Sequence, residues 1–252
     1  MKKYELTTST IIRFGRKLFQ IKALVSFGAV TAGDLGGYIE KEENLSHEGD
    51  AWIYDRALVF DDARVCGNAW VFCDAQVYGN AVISGDARVY GKANVLGNAA
   101  VSGNARVYGT ALVSDNAQVY DNSFVYGDTQ VNGGAHVFGD AIVRGDAHVC
   151  GDAQVFGYVR IRGDARVYGG ARVSSDADYI CFKGFGSEGR STTMFRTKNG
   201  DVFVCCGCFE GSLKEFAEKV KETHGSNKYA KEYLACVEVA KIHFEIGGKD
   251  DK

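Results

Sequence analysis

Cations, hydroxyls, thiols and imidazoles gather in the second half of this chain. Arg144, Arg160, Arg162, Arg166 and Arg172 fall close together, interspersed with Asp146, Asp152 and Asp164. Guanidinium groups grip phosphate oxygens through paired donors, so Arg144, Arg160 and Arg162 are candidates for holding a nucleotide. The competing reading is that they neutralise the neighbouring aspartates. Next comes a glycine- and hydroxyl-rich stretch in which Lys183, Ser187, Arg190, Ser191, Thr192 and Thr193 are candidate anion ligands. Backbone N–H groups in such a stretch can cradle an anion. It lacks the Gly-Lys-Ser/Thr ending of a phosphate-binding P-loop, and an ordinary connection is the alternative. Cys205-Cys206-Gly207-Cys208, with His224 and His243 downstream, invites a metal reading. Paired Cys-x-x-Cys spacing is missing and a strand would turn Cys205 away from its neighbours, so no metal is expected.

These residues are positioned by a repeat. An aliphatic anchor recurs every six residues from Ile53 through Val89, Val107 and Val125 to Val173, with a small residue two positions earlier. That small residue is nearly always alanine; Ser123, Thr129 and Val159 are the exceptions. In extended backbone both point to one side, so each hexad is a short strand with an apolar inner face. The Gly-Asn and Gly-Asp pairs that follow supply corners, because these residues tolerate left-handed backbone. Three strands and three corners close a triangular coil, and only stacked coils bury their inner faces. The hexads make about seven coils, a shaft about 30–35 Å long at ordinary strand spacing.

Composition fits. The chain has 252 residues, 46% of them hydrophobic and 24% charged, a net charge of −3 and no proline. Proline has no N–H to give to a ladder. With charges of both signs interleaved, no long-range field draws the molecule to DNA, RNA or anionic membrane. The first residues, Met1-Lys2-Lys3-Tyr4-Glu5-Leu6, do not read as a signal peptide and no stretch is apolar enough to span a bilayer. A cytoplasmic location is expected, with the eight cysteines unpaired.

The periodicity divides the chain into an N-terminal β-hairpin cap (1–50), the shaft (51–178) and a small C-terminal α+β domain (179–252). In the cap, Thr10–Phe14 and Leu18–Leu24 flank Gly15-Arg16 as a hairpin. In the C-terminal domain, strands at Tyr179–Phe182, Thr193–Thr197 and Val202–Cys206 precede two helices. The first opens at the capping box Ser212-Leu213-Lys214-Glu215, and the second runs over about Lys228–Phe244.

This mainly β pattern resembles the hexapeptide-repeat left-handed parallel β-helix family, whose best known members are acyltransferases. In that family's usual hexad, glycine or an acidic residue directly follows the anchor; here that place is often aromatic, as at Tyr54, Phe72, Tyr78, Tyr90 and Tyr108. The segments Gly33-Asp34-Leu35-Gly36-Gly37-Tyr38-Ile39-Glu40 and Cys206-Gly207-Cys208-Phe209-Glu210-Gly211 also look like those of proteins carried by bacteriophages and prophages. An acyltransferase of this class needs a histidine base beside its acceptor. His136 and His148 point outward, but on different faces, and unbroken anchors leave no insertion to build a pocket.

Residues 18 apart stack on one face, and one face collects Trp52, Tyr54, Trp70, Phe72, Arg88, Tyr90, Arg106, Tyr108, Phe124 and Tyr126. Tryptophan, tyrosine and arginine are the residues of protein interfaces, so a homo-oligomer, trimer or dimer, is expected. Intramolecular packing, a foreign partner and an exposed stabilising ladder are the alternatives. These readings converge on a non-catalytic, cofactor-free binding protein of phage or prophage type. It would block or sequester a host partner in the host cytosol, either a defence protein or a nucleotide signal. An acyltransferase and a structural virion component are the alternatives.

Overall fold

A computed structural model describes residues 2–246. The hexads form a parallel β-solenoid whose three walls hold eight, seven and seven strands, the first extended to a sheet of ten by two antiparallel strands at the N-terminal end. Register is constant along each wall: Trp70, Arg88, Arg106, Phe124, Ile142 and Arg160 stand one above another, with Val71, Val89, Val107, Val125, Val143 and Ile161 beside them. Every anchor from Ile53 to Val173 is fully buried. The three exceptions to alanine also lie inside, and two of them are polar but satisfied: Ser123 Oγ donates to the Tyr120 carbonyl at 2.8 Å, and Thr129 Oγ1 to the Tyr126 carbonyl at 2.8 Å.

The corners explain the glycines. Gly103 has φ +65°, and a Cβ there would stand 2.8 Å from the Asp121 backbone nitrogen of the next coil. Where aspartate takes the same left-handed place, its carboxylate finds a donor. Asp121 accepts from the Gly139 N–H at 3.1 Å and Asp115 from the Gly133 N–H at 3.0 Å. Asparagine ladders run beside them, with Asn80 donating to Asn98 and Asn98 to Asn116, both at 3.0 Å.

The ladder begins earlier than the regular period indicates, which gives about eight turns rather than seven. Tyr38 and Ile39 pair in parallel with Leu58 and Val59, and Leu45 bridges to Val65. Ile39 and Leu45 are six apart, but Leu45 and Ile53 are eight apart, and that insertion hides the first turn. The expected hairpin forms from Tyr4–Arg13 and Arg16–Ala23, turning at Phe14-Gly15, where both residues have positive φ. It closes the open end of the shaft. Buried Lys3 donates through Nζ to the carbonyls of Gly49 at 3.1 Å and Ala51 at 2.9 Å, which satisfies groups a bare end would leave open.

At the other end Tyr179–Phe185, Arg190–Arg196, Val202–Cys206 and Phe209–Ser212 form an antiparallel sheet. Helices α1 (Leu213–His224) and α2 (Lys228–His243) pack on it. The Ser212–Glu215 capping box is present. The sheet closes the last coil by direct bonds: the Arg166 N–H donates to Thr193 Oγ1 at 3.0 Å and the Lys198 N–H to the Gly170 carbonyl at 3.1 Å. Among the described residues no helix is long and apolar enough to cross a membrane.

Candidate active site

The C-terminal sheet does more than cap. It leans against the last turns of the shaft and makes a two-part groove there, which corrects the expectation that uninterrupted coils leave no pocket. The larger part has a volume of about 700 Å³. Tyr126, Arg144 and Arg162 form its shaft wall, and Tyr179, Ile180 and Lys183 come from the sheet. The smaller part, about 350 Å³, brings together Asp146, His148, Asp164, Arg166, Arg190 and Ser191. Asp164 and Ser191 line both, so the two parts adjoin.

Repeat geometry explains the shaft wall. Positions just after the anchor stack into a row, Phe72, Tyr90, Tyr108 and Tyr126, with rings 4.6–4.7 Å apart and nearly parallel. The same row continues at Arg144, paired with Tyr126, and the next turn places Arg162 there. An aromatic ladder thus runs into a cationic one where the sheet overhangs. His148 stands in a different row, between Gln130 and Arg166, and the sheet covers it in part.

The electrostatics separate the two parts. Arg162 faces Asp176 at 3.5 Å, and Lys183 is ion-paired with Asp164, which also accepts from Ser191 Oγ at 3.3 Å. Lys183 and Ser191 hold the Asp164 carboxyl below its usual range, Lys183 most strongly. Among the described residues no carboxylate lies within ion-pairing distance of Arg144, Arg160 or Arg166, so neutralisation of stacked aspartates does not account for all the arginines. Burial depresses the His148 imidazole below its ordinary 6.5, and Arg166 adds to this against a smaller opposing pull from Asp146. Both influences favour the neutral form of the imidazole.

The anion-binding candidates divide accordingly. Arg144, Arg162, Lys183 and Ser191 meet in the larger part, and Arg190 and Ser191 in the smaller. Arg160 is on the adjoining wall, its carbonyl accepting from the Tyr179 hydroxyl at 2.6 Å. Ser187 is at the hairpin tip, near α1. Thr192 and Thr193 are fully enclosed, which corrects their assignment: Thr192 faces Cys206 Sγ at 3.1 Å, and Thr193 accepts from Arg166. The glycine-rich stretch is mostly strand, since Thr192 pairs with Phe182 and Arg190 with Phe185. Cys205 turns toward the shaft and Cys206 toward the helices, as alternation requires.

One residue of the aromatic face is corrected. Trp52 is fully buried beneath the N-terminal cap, with Phe27 at 5.4 Å and Tyr4 at 6.2 Å, and is not on the outer surface. Tyr54 meets Trp70 edge-on at 5.6 Å, Arg88 lies over Trp70 and Arg106 over Phe124. Sequence reading missed two further aromatic rows, Phe60 with Tyr78 and Tyr120 with Phe138 and Phe156, although both repeat at the same spacing of 18. It also missed Tyr179 and Asp176 as groove residues, because they lie beyond the period.

Residues 75–91 match the model of the YdcK beta solenoid repeat. The shaft is built of β-solenoid repeats. A curated relative described as the uncharacterized acetyltransferase YdcK of Escherichia coli strain K12 is 46% identical over 52 residues. That stretch is 20% of this chain and 16% of the relative's length. The expectation of a chain without catalysis is therefore corrected, because the solenoid's curated relative carries an enzyme's name. Neither comparison supports the phage-type blocking role.

Proposed function

We propose that the chain transfers an acyl group from a thioester donor, with His148 as general base in the groove between the shaft and the C-terminal sheet. The observation that carries this reading is the pairing of a half-covered imidazole, whose neutral form is favoured, with an adjoining compartment in which Arg144 is unpaired among the described residues and Arg162 and Lys183 face Asp176 and Asp164. Arg144, Arg162 and Lys183 suit the phosphates of a coenzyme A type donor, and Tyr126, Tyr179 and Ile180 give its less polar portion a wall. The relative's description as an acetyltransferase supports the same class of reaction.

Chemically, His148 takes the proton from an acceptor hydroxyl or amine as that atom attacks the thioester carbonyl. The carbon–sulfur bond then breaks, and the departing thiolate recovers the proton from the imidazolium. Arg166 and Arg190 border the site where negative charge grows on the carbonyl oxygen, and a fixed cation there lowers the barrier. The aromatic row leading to Tyr126 supports self-association along that wall, which would extend the groove with a second copy.

Release of free thiol from acetyl-CoA, measured against a panel of hydroxyl and amine acceptors, tests the proposal. Turnover supports it; no acceptor-dependent thiol release under saturating donor contradicts it. The pH profile is a sharper check. The base works when deprotonated, so kcat/KM should rise with pH along a limb whose midpoint lies below 6.5 and be flat at neutrality. Arg166→Gln removes a cation that disfavours the imidazolium, so the limb should move to higher pH.

A further inference from the structure

A second concavity lies across the C-terminal domain, between the two helices and the turn at Asn199-Gly200. Its volume is about 820 Å³, the largest in the chain among those described, and within the range of pockets that hold small molecules. Its lining is divided by chemistry. Leu213, Ala217, Leu234 and Val237 make an apolar floor, and Lys198, Lys214 and Lys221 stand around it. None of this belongs to the groove containing His148.

Helical spacing produces the arrangement. On α1, Lys214, Ala217 and Lys221 fall at intervals of three and four, so they share one stripe with a small residue between two cations. Ala217 keeps the floor open where a longer side chain would fill it. On α2, Leu234, Glu238 and Lys241 form the facing stripe. Three carboxylates also line the hollow: Glu215 closes the capping box with Ser212, Glu238 pairs with Lys241 at 2.7 Å, and Asp201 lies on the side of the turn, where its backbone carbonyl accepts from the Thr197 N–H at 2.9 Å. Among the described residues, Lys198, Lys214 and Lys221 have no carboxylate within 4.0 Å. A surface helix does not ordinarily leave Leu234 at the base of a hollow with three unpaired ammonium groups at its rim.

We propose that this concavity binds a free long-chain carboxylate, its aliphatic chain on Leu213, Ala217, Leu234 and Val237 and its head group among Lys198, Lys214 and Lys221. The cations are lysines, compact point charges on flexible stems, which suit a small head group at the rim. The apolar floor gains from removing a hydrocarbon chain from water, and the rim selects its charge.

The test is a fluorescence titration of the full chain with 11-(dansylamino)undecanoate, followed by displacement with dodecanoate or with dodecyltrimethylammonium. Saturable binding displaced by dodecanoate, and not by the cationic analogue, is expected. Charge reversal at Lys214→Glu with Lys221→Glu should weaken binding about tenfold or more. Ala217→Phe should abolish it by filling the floor. Circular dichroism and thermal unfolding verify that each variant is folded; Ala217→Leu serves in the same way if the phenylalanine variant does not fold. Absence of saturable binding, equal displacement by the cationic analogue, or binding unchanged in the filled variant overturns the proposal. Attachment to anionic vesicles without binding of the free carboxylate overturns it too. Thiol release from acetyl-CoA is independent of all these outcomes.

Discussion

On the proposed acyl-transfer reading, replacing His148 with alanine is expected to lower kcat by about 100- to 10,000-fold while leaving donor affinity within a few-fold of wild type, the range for loss of a general base. His148 lines only the smaller part of the groove, whereas the donor's phosphates are assigned to Arg144, Arg162 and Lys183 in the larger. Removing the imidazole therefore removes proton transfer and spares the cations. His136 is the internal control. It lies in another sheet, between Gln118 and Gln154 and edge-on to Tyr120, away from either part of the groove. His136→Ala should leave turnover unchanged. Steady-state thiol release and donor titration on both variants separate the outcomes, and equal loss in the two would show that neither histidine acts as the base.

Val107→Asp is expected to destabilise the chain by about 4 kcal/mol or more, enough to unfold much of it at ambient temperature. Val107 is fully enclosed between Val89 and Val125 of the adjoining coils. A carboxylate there meets only valine and alanine, with no donor to satisfy it and no water to hydrate it. Its neighbour Tyr108 points the other way, into the aromatic row, and is half-buried. Tyr108→Ser should lose stacking on two sides and cost about 1–2 kcal/mol, so that chain still folds. Urea unfolding followed by circular dichroism distinguishes them. Similar losses at both positions would mean that the inward and outward assignment is wrong.

The contrast between those two residues is also where sequence was most informative. A period of six fixes which side chains are enclosed, because alternate residues of a strand share a face and one slip would reverse them all. Val89, Val107 and Val125 could be placed without coordinates, as could the stacking of residues 18 apart. The first turn was hidden because the two extra residues between Leu45 and Ile53 break the period without breaking the ladder. Trp52 sits at an outward position of its hexad, yet Tyr4 and Phe27 fold over it, and that contact comes from a segment 25 to 48 residues away.

The groove was less legible for a related reason. Each wall is readable alone: arginines at 144 and 162 share a row, and Lys183, Arg190 and Ser191 were singled out for anion binding. Their meeting depends on how the C-terminal sheet seats against the last coils through Thr193 and Asp176, which periodicity does not encode. Thr192 and Thr193 illustrate the error that follows. Their hydroxyls looked like loop donors, whereas pairing with Phe182 and Cys181 puts them inside. The absence of an insertion among the hexads suggested that no pocket existed, but a domain appended to the shaft's end builds one just as well.

Calorimetric titration of the full chain with acetyl-CoA decides whether the larger part of the groove receives a thioester donor, as proposed. Saturable binding by wild type, weakened about tenfold or more by charge reversal at Arg162→Glu and weakened again at lower cost by Arg144→Gln, is the predicted result. No saturable binding to wild type, or binding that both variants retain in full, would contradict it.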